Sequence, residues 1–165
     1  DKDTTGLIVA AKNNKAHRVL AEQLRDHSMD RIYEAIVEGV IKEDKGTIDA
    51  PIGRHPGDRK KMDVTPGKGR EAVTLFEVIN RLNKTTHIRC RLETGRTHQI
   101  RVHMKYINHP VYGDPIYGSA FKNATSNGQA LHARFLRFKH PETGEEMEFE
   151  APLPEYFTEL LKKLS

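Results

Sequence analysis

Residues 86–107 read THIRCRLETGRTHQIRVHMKYI and combine a strand, a glycine turn and a helix in one run. Apolar residues at 88, 90 and 92 alternate with charged residues at 89, 91 and 93, which predicts a strand with one buried and one wet face. After Gly95, Thr97 can cap a helix that runs to about Ile107, with Ile100, Met104 and Ile107 as its buried stripe. The centre of the fold is therefore predicted to be a half-buried sheet with a helix against it.

The sequence on either side of this run predicts further strands, a few helices and polar turns. Long strands that follow one another with few helices between them favour an α+β domain over a doubly wound one. The predicted strands span residues 6–12, 31–40, 47–52, 72–80, 86–93, 131–140 and 146–151, the predicted helices span 14–27 and a stretch after Pro154, and 119–129 is predicted to be a polar loop.

Composition restricts the class of protein without deciding its function. A chain of 165 residues fits one domain. Its net charge of +4 suits a polyanionic partner but is equally compatible with ordinary solvated surface. A single cysteine, Cys90, indicates a reducing compartment. Because no apolar run is long enough to span a membrane and the start does not resemble a secretory signal, we expect a soluble, cytoplasmic protein without membrane contact.

Two segments are candidates for anion binding. Residues 53–70 form an irregular, glycine-rich stretch in which six cations face two aspartates, and this predicts a basic loop or projecting hairpin. In residues 93–103, two arginines lie at the start of a predicted helix, where free amides and the helix dipole favour anions. A solvated helix start with a capping threonine explains the second segment about equally well.

The nine histidines do not form a convincing metal site. His98 and His103 are five residues apart, which places them on different faces of a helix, and no carboxylate or thiolate lies at a useful spacing. Residues 66–69 read PGKG and lack the full phosphate-loop pattern, so an NTPase is a weak hypothesis.

Three motifs resemble the RluA-type RNA pseudouridine synthases, most closely the branch that modifies large-subunit ribosomal RNA. They are DKDTTGL at 1–7, ETGRTHQIRVH at 93–103 and NHPVYGDPIYG at 108–118. The resemblance implies that Asp1 is the catalytic aspartate, that Tyr33 in RIYEA lies in the active site, and that Arg101 pairs with the aspartate. It also implies that RHPGDRKKMDV, residues 54–64, is a basic hairpin that grips RNA.

What the resemblance implies for the whole chain can be stated as expectations. We expect a mainly antiparallel, mixed central sheet with flanking helices, isomerisation of uridine in ribosomal RNA or, alternatively, transfer RNA, no metal or organic cofactor, and a monomer. Residues 1–165 are expected to form a catalytic domain truncated at its N-terminal side, because the His-Arg-Leu that precedes the family's aspartate is absent. The alternative is an inactive RNA-binding domain of the same fold. The predicted RNA-binding residues are Arg54, Arg59, Lys60, Lys61, Arg96, His98 and Gln99.

The chemistry of the reaction makes these residue types sensible. A carboxylate at Asp1 can attack covalently or stabilise the charge that develops when the glycosidic bond breaks. A guanidinium at Arg101 would keep that carboxylate ionised and directed. Tyr33 offers a ring on which a base can stack and a hydroxyl that could move a proton. Outside these motifs, an Asp–Arg pair is more often structural and a strand tyrosine is usually core.

Overall fold

The computed structural model describes residues 1–119 and 127–165, so part of the predicted loop at 119–129 lies outside the described residues. The strands and helices follow the sequence pattern closely in order and kind. They are β1 (Thr5–Gly6), α1 (Asn14–Arg25), β2 (Asp30–Glu38), β3 (Lys45–Asp49), β4 (Ile52–Arg54), β5 (Met62–Val64), β6 (Val73–Arg81), β7 (Thr85–Leu92), α2 (Gln99–Tyr106), β8 (Leu131–Lys139), β9 (Glu146–Glu150) and α3 (Glu155–Leu164).

Within the described ranges, seven strands form one sheet in the order β1-β8-β2-β7-β6-β3, with β9 also pairing with β8. Only the short β1–β8 pairing is parallel, and the other pairings are antiparallel. Strands β4 and β5 form a separate two-stranded hairpin, as predicted for the basic segment. The predicted α+β class with a mainly antiparallel, mixed sheet is confirmed.

The main core lies between this sheet and α2. The alternation predicted for β7 is confirmed, because Ile88 and Cys90 are fully buried and Leu92 nearly so, whereas Arg89 and Arg91 are exposed. Across the sheet Tyr33 of β2 is paired with Cys90, which places it on the same face as α2. That face carries the candidate site.

The strand predicted over 6–12 is wrong beyond Gly6. Gly6 has φ of +100° and packs so closely on the backbone of Ala133 that a Cβ would lie 2.2 Å from its carbonyl oxygen. After this close approach the chain leaves the sheet. Leu7 and Val9 pack against the cluster around Leu20, but Ile8 points outward and is 91% exposed. The apolar run at 6–12 therefore does not form the buried strand that its composition predicts.

The three helices begin for different reasons. At α1, the side chain of Asn13 accepts a hydrogen bond from the Ala16 N–H at 2.8 Å, which caps the helix. Helix α3 follows Pro154 and buries Phe157 completely. The predicted cap at Thr97 is wrong: α2 begins at Gln99, after His98 in the left-handed region with φ of 57° and without a side-chain cap. None of the helices in the described ranges is long and apolar enough to cross a membrane.

Candidate active site

A polar cavity of about 240 Å³ lies where the start of α2 meets the edge of β2 and the first residues of the chain. Larger depressions lie elsewhere on the surface, but reactive side chains converge on this one. Five of the predicted site residues line it from three separate parts of the chain: Asp1, Tyr33, Arg96, His98 and Gln99. The fold therefore brings residues of DKDTTGL and ETGRTHQIRVH together with Tyr33 of RIYEA.

Two basic side chains face the Asp1 carboxylate. Arg101 Nη1 lies 3.7 Å from Asp1 Oδ2, and His98 Nε2 lies 3.8 Å from Asp1 Oδ1. Both distances are longer than a hydrogen bond, so the contacts are electrostatic rather than tight pairs. The Asp1 side chain is 23% exposed and remains open to the cavity. The predicted proximity of Arg101 and Asp1 is present in the fold.

The tight partner of Arg101 is not Asp1 but Asp114, which was not predicted as a site residue. Arg101 donates from Nε to Asp114 Oδ2 at 2.6 Å and from Nη2 to Oδ1 at 2.9 Å. Both side chains are almost completely buried. Asp114 Oδ1 also accepts the backbone N–H groups of Ile116 and Tyr117. Arg101 is therefore held rigidly by a two-pronged ion pair and presents only its remaining nitrogen to Asp1.

His98 is held by a chain of hydrogen bonds that reaches the basic hairpin. The Tyr117 hydroxyl accepts the Met62 N–H at 2.8 Å and lies 2.8 Å from His98 Nδ1. The described structure offers that hydroxyl no other acceptor, so the hydroxyl donates a hydrogen bond to Nδ1. His98 therefore carries its own proton on Nε2, which faces Asp1. Burial lowers the pKa of His98, and the charge of Arg101 acts in the same direction. The imidazole is thus neutral near pH 7.

Tyr33 forms one wall of the cavity. Its ring packs against the main core, while its hydroxyl makes no hydrogen bond to any residue that the structure describes. Burial raises the pKa of Tyr33, and the nearby charge of Arg31 opposes that shift. The side chain therefore offers the cavity a flat ring and a protonated hydroxyl.

The prediction that Gln99 contacts RNA is corrected by its burial. The residue is only 3% exposed, and its amide nitrogen donates to the Val73 carbonyl and the Thr74 hydroxyl, both at 3.0 Å. Its amide oxygen accepts from the Thr94 hydroxyl and the Arg96 N–H. Every hydrogen-bonding atom of the amide is used inside the protein, so Gln99 fixes the turn before α2 instead.

The other predicted RNA-binding residues lie on the hairpin beside the cavity. Arg54, Arg59 and Lys60 are exposed and Lys61 is half-buried. The hairpin carrying them is attached to the site through the Met62–Tyr117 hydrogen bond. Among the described residues, no group of three or more His, Cys, Asp or Glu side chains is arranged to hold a metal ion.

The sheet, together with a cavity at which an aspartate faces an arginine beside a tyrosine, fits a class of RNA-modifying enzymes. The chain belongs to the RNA pseudouridylate synthase family. The family model of that description matches residues 1–106. The resemblance seen in the sequence is confirmed.

Individual relatives agree with this assignment. The chain is 56% identical over 164 residues to an uncharacterized RNA pseudouridine synthase of Bacillus subtilis, covering 99% of this chain and 54% of that protein. It is 52% identical over 176 residues to ribosomal large subunit pseudouridine synthase D of Pseudomonas aeruginosa, again covering 99% and 54%. The chain thus spans about half the length of these curated relatives.

A solved structure has the same fold. Human RNA pseudouridylate synthase domain containing 1 is similar with a TM-score of 0.72 and 26% identity, over 93% of this chain and 73% of that one.

Proposed function

We propose that this chain carries the catalytic centre of an RNA pseudouridine synthase, with Asp1 as the reactive carboxylate and ribosomal RNA as the substrate. The observation that carries the proposal is that Asp1 and Tyr33 line one cavity and the Asp114-bound Arg101 faces the Asp1 carboxylate, in a chain of this family. The relatives named as large-subunit ribosomal RNA enzymes support ribosomal RNA, and transfer RNA is a second possible substrate.

The reaction is an isomerisation, so no co-reactant is required. The bond between C1′ of the ribose and N1 of uracil breaks, the ring turns, and a bond forms between C1′ and C5. The hydrogen on C5 is lost to solvent and N1 takes up a proton, so that atoms balance. The Asp1 carboxylate either attacks covalently or stabilises the positive charge that develops on the sugar.

The neighbouring residues have separate tasks in this scheme. Arg101 and His98 face the two oxygens of Asp1 and hold the carboxylate in position. Tyr33 stacks on the base, and its hydroxyl is the group best placed to exchange a proton with the ring. A uridine within folded RNA must be flipped out to reach this cavity.

RNA binding is assigned to the cations around the cavity. Arg54, Arg59, Lys60 and Lys61 of the hairpin, with Arg96 at the cavity, would contact phosphates. A ribosomal large subunit enzyme among the bacterial relatives supports a cytoplasmic location, and we expect the protein to act as a monomer.

The alternative is an RNA-binding domain of the same fold without turnover. The presence of Asp1, Tyr33 and Arg101 in one site favours the enzyme, since a binding module has no need of a carboxylate among basic groups.

The test is release of tritium from ribosomal RNA labelled at uridine C5, comparing the wild-type chain with Asp1→Asn. Asn keeps the shape of the side chain and removes the reactive carboxylate, so turnover should vanish while RNA binding and folding hardly change. Asp3→Asn is the matched control, because Asp3 is exposed two residues away. Residual release in Asp1→Asn would refute Asp1 as the reactive group, and RNA binding without release in the wild-type chain would favour the binding module.

A further inference from the structure

Arg31 is a cation in the cavity that has no counter-ion among the residues that the structure describes. It lies in β2, two residues before Tyr33 and on the same face, and it lines the cavity together with Asp1 and Arg96. Within the described ranges its side chain forms no ion pair and no hydrogen bond, and its Nε is buried without a partner. Of the other half-buried or buried arginines that the structure describes, Arg101, Arg134 and Arg137 each bind a carboxylate, whereas Arg96 does not.

The guanidinium of Arg31 is positioned against backbone. A Cβ on Gly95 would lie 2.4 Å from Arg31 Nη1, so the glycine at this turn leaves the space that the guanidinium occupies. Burial lowers the pKa of Arg31, and the nearby charge of Arg96 acts in the same direction. Arg96 itself donates from Nε to the Glu71 carbonyl at 2.7 Å and has no carboxylate partner among the described residues. Two unneutralised guanidinium groups therefore share one wall of the cavity.

An uncompensated charge away from water is unfavourable, and a fold retains one where a ligand supplies the opposite charge. We propose that Arg31 and Arg96 form a phosphate subsite, which binds a backbone phosphate of the nucleotide whose base is presented to Tyr33 and Asp1. This rests on the proposed function and names the part of the substrate that these residues bind. A planar guanidinium matches the paired oxygens of a phosphodiester better than an ammonium does.

The subsite differs from the hairpin in what it contributes. The hairpin cations lie outside the cavity and all but Lys61 are exposed, so they would hold the RNA generally. Arg31 lies beside the reacting groups, so its phosphate contact would place one particular nucleotide over Asp1.

The main experiment compares wild type with Arg31→Met, and Arg89→Met serves as control. Arg89 lies on the opposite face of the same sheet, is 50% exposed, and is 4.0 Å from Glu77. With an unmodified transcript of large-subunit ribosomal RNA, Arg31→Met should weaken binding and reduce the slope of log affinity against log salt by about 0.7–0.9, the value for one phosphate contact. Arg89→Met should leave the slope unchanged.

Thermal unfolding separates a ligand-binding role from a structural one. Because Arg31 has no partner in the part of the chain that the structure describes, Arg31→Met should fold with an unfolding midpoint equal to or above that of wild type. Arg31→Lys should fold as well and recover only part of the affinity, since it keeps the charge and loses the fork. A lower midpoint for Arg31→Met together with an unchanged salt slope would make Arg31 a structural residue and overturn the proposal.

A small-molecule measurement keeps the subsite testable if the chain fails to act on RNA. Uridine 5′-monophosphate and uridine are titrated while the backbone amide of Gly95 is followed by NMR. Wild type should bind the monophosphate more tightly than the nucleoside, and Arg31→Met should lose that preference. Equal binding of the two by wild type would refute the subsite. Absence of turnover with the preference intact would instead count against the proposed function alone.

Discussion

Replacing Asp114 by Asn is expected to lower the free energy of unfolding of the protein, although Asp114 does not face the cavity. Both it and Arg101 are almost completely buried, and Arg101 is bound through two hydrogen bonds at 2.6 and 2.9 Å. Asn can keep the oxygen that accepts from the Ile116 and Tyr117 N–H groups. It loses the other oxygen and brings an NH₂ group towards the Arg101 Nε–H, so two donors face each other and the guanidinium is left without compensation.

The expected loss follows from the burial of this pair. Breaking a buried ion pair by removing one partner destabilises by about 3–5 kcal/mol. With a urea dependence of about 1–3 kcal/mol per molar for a domain of this kind, the unfolding midpoint of Asp114→Asn should fall by at least about 1 M. Equilibrium unfolding in urea followed by circular dichroism measures it. Asp44→Asn is the control, because Asp44 pairs with Arg81 at 2.8 Å but is 89% exposed, and the midpoint should scarcely move.

A double variant tests whether the loss comes from the unpaired charge. Adding Arg101→Met to Asp114→Asn removes the uncompensated guanidinium, so the double variant should be more stable than Asp114→Asn alone. If Asp114→Asn unfolds within the error of wild type, or if Arg101→Met makes it still less stable, the two-pronged pair is not what holds this part of the fold.

Two further predictions concern the hairpin and its link to the site. Changing Lys60 and Lys61 to Ala should weaken RNA binding and flatten its salt dependence by about one unit for each lost phosphate contact, whereas the lysine pair at 162–163 in α3 should tolerate the same change. Turnover at saturating RNA should stay nearly the same; an unaltered slope would place the RNA elsewhere. Tyr117→Phe should slow single-turnover isomerisation without much loss of RNA affinity. In ¹⁵N NMR, the same variant should also lose the preference of His98 for the Nε2–H tautomer. Tyr106→Phe is the control and should have neither effect, because the Tyr106 side chain is exposed. Retention of that preference would contradict the assigned proton position.

The alternation of apolar and polar residues predicts the sheet, because each long strand buries one face and exposes the other to solvent. The strand at 85–92 shows this most clearly, with buried residues at 88 and 90 between exposed arginines. Periodicity failed at residues 6–12, where the run is apolar but the close approach of Gly6 to Ala133 turns the chain out of the sheet. This contact involves a strand more than a hundred residues further along the chain, so no local sequence pattern predicts it.

The candidate site, too, is predicted by the sequence only in part. Asp1, Tyr33 and Arg101 were predicted because each stands within a motif, and the fold gathers them at one cavity and its floor. Asp114 and Tyr117 also lie in a motif, NHPVYGDPIYG, but the resemblance assigned them no role, and its turn residues do not distinguish an exposed aspartate from one that is completely buried. Arg31 was missed for the opposite reason: an arginine on a strand normally has a carboxylate partner, and its lack of one is visible only in three dimensions.

The four residues from Asp114 to Tyr117 support both groups that face Asp1, and this explains the long distances at the Asp1 carboxylate. Asp114 binds Arg101 tightly, the Tyr117 hydroxyl holds His98, and the Tyr117 ring lies 5.2 Å from the Arg101 guanidinium. Because both basic groups are fixed by these partners, they need no close bond to Asp1 and remain at 3.7 and 3.8 Å. A carboxylate in a two-pronged bond with Arg101 would have to break that bond before reacting. In the proposed mechanism, the charge of Arg101 would orient Asp1 and leave its oxygens free for the substrate.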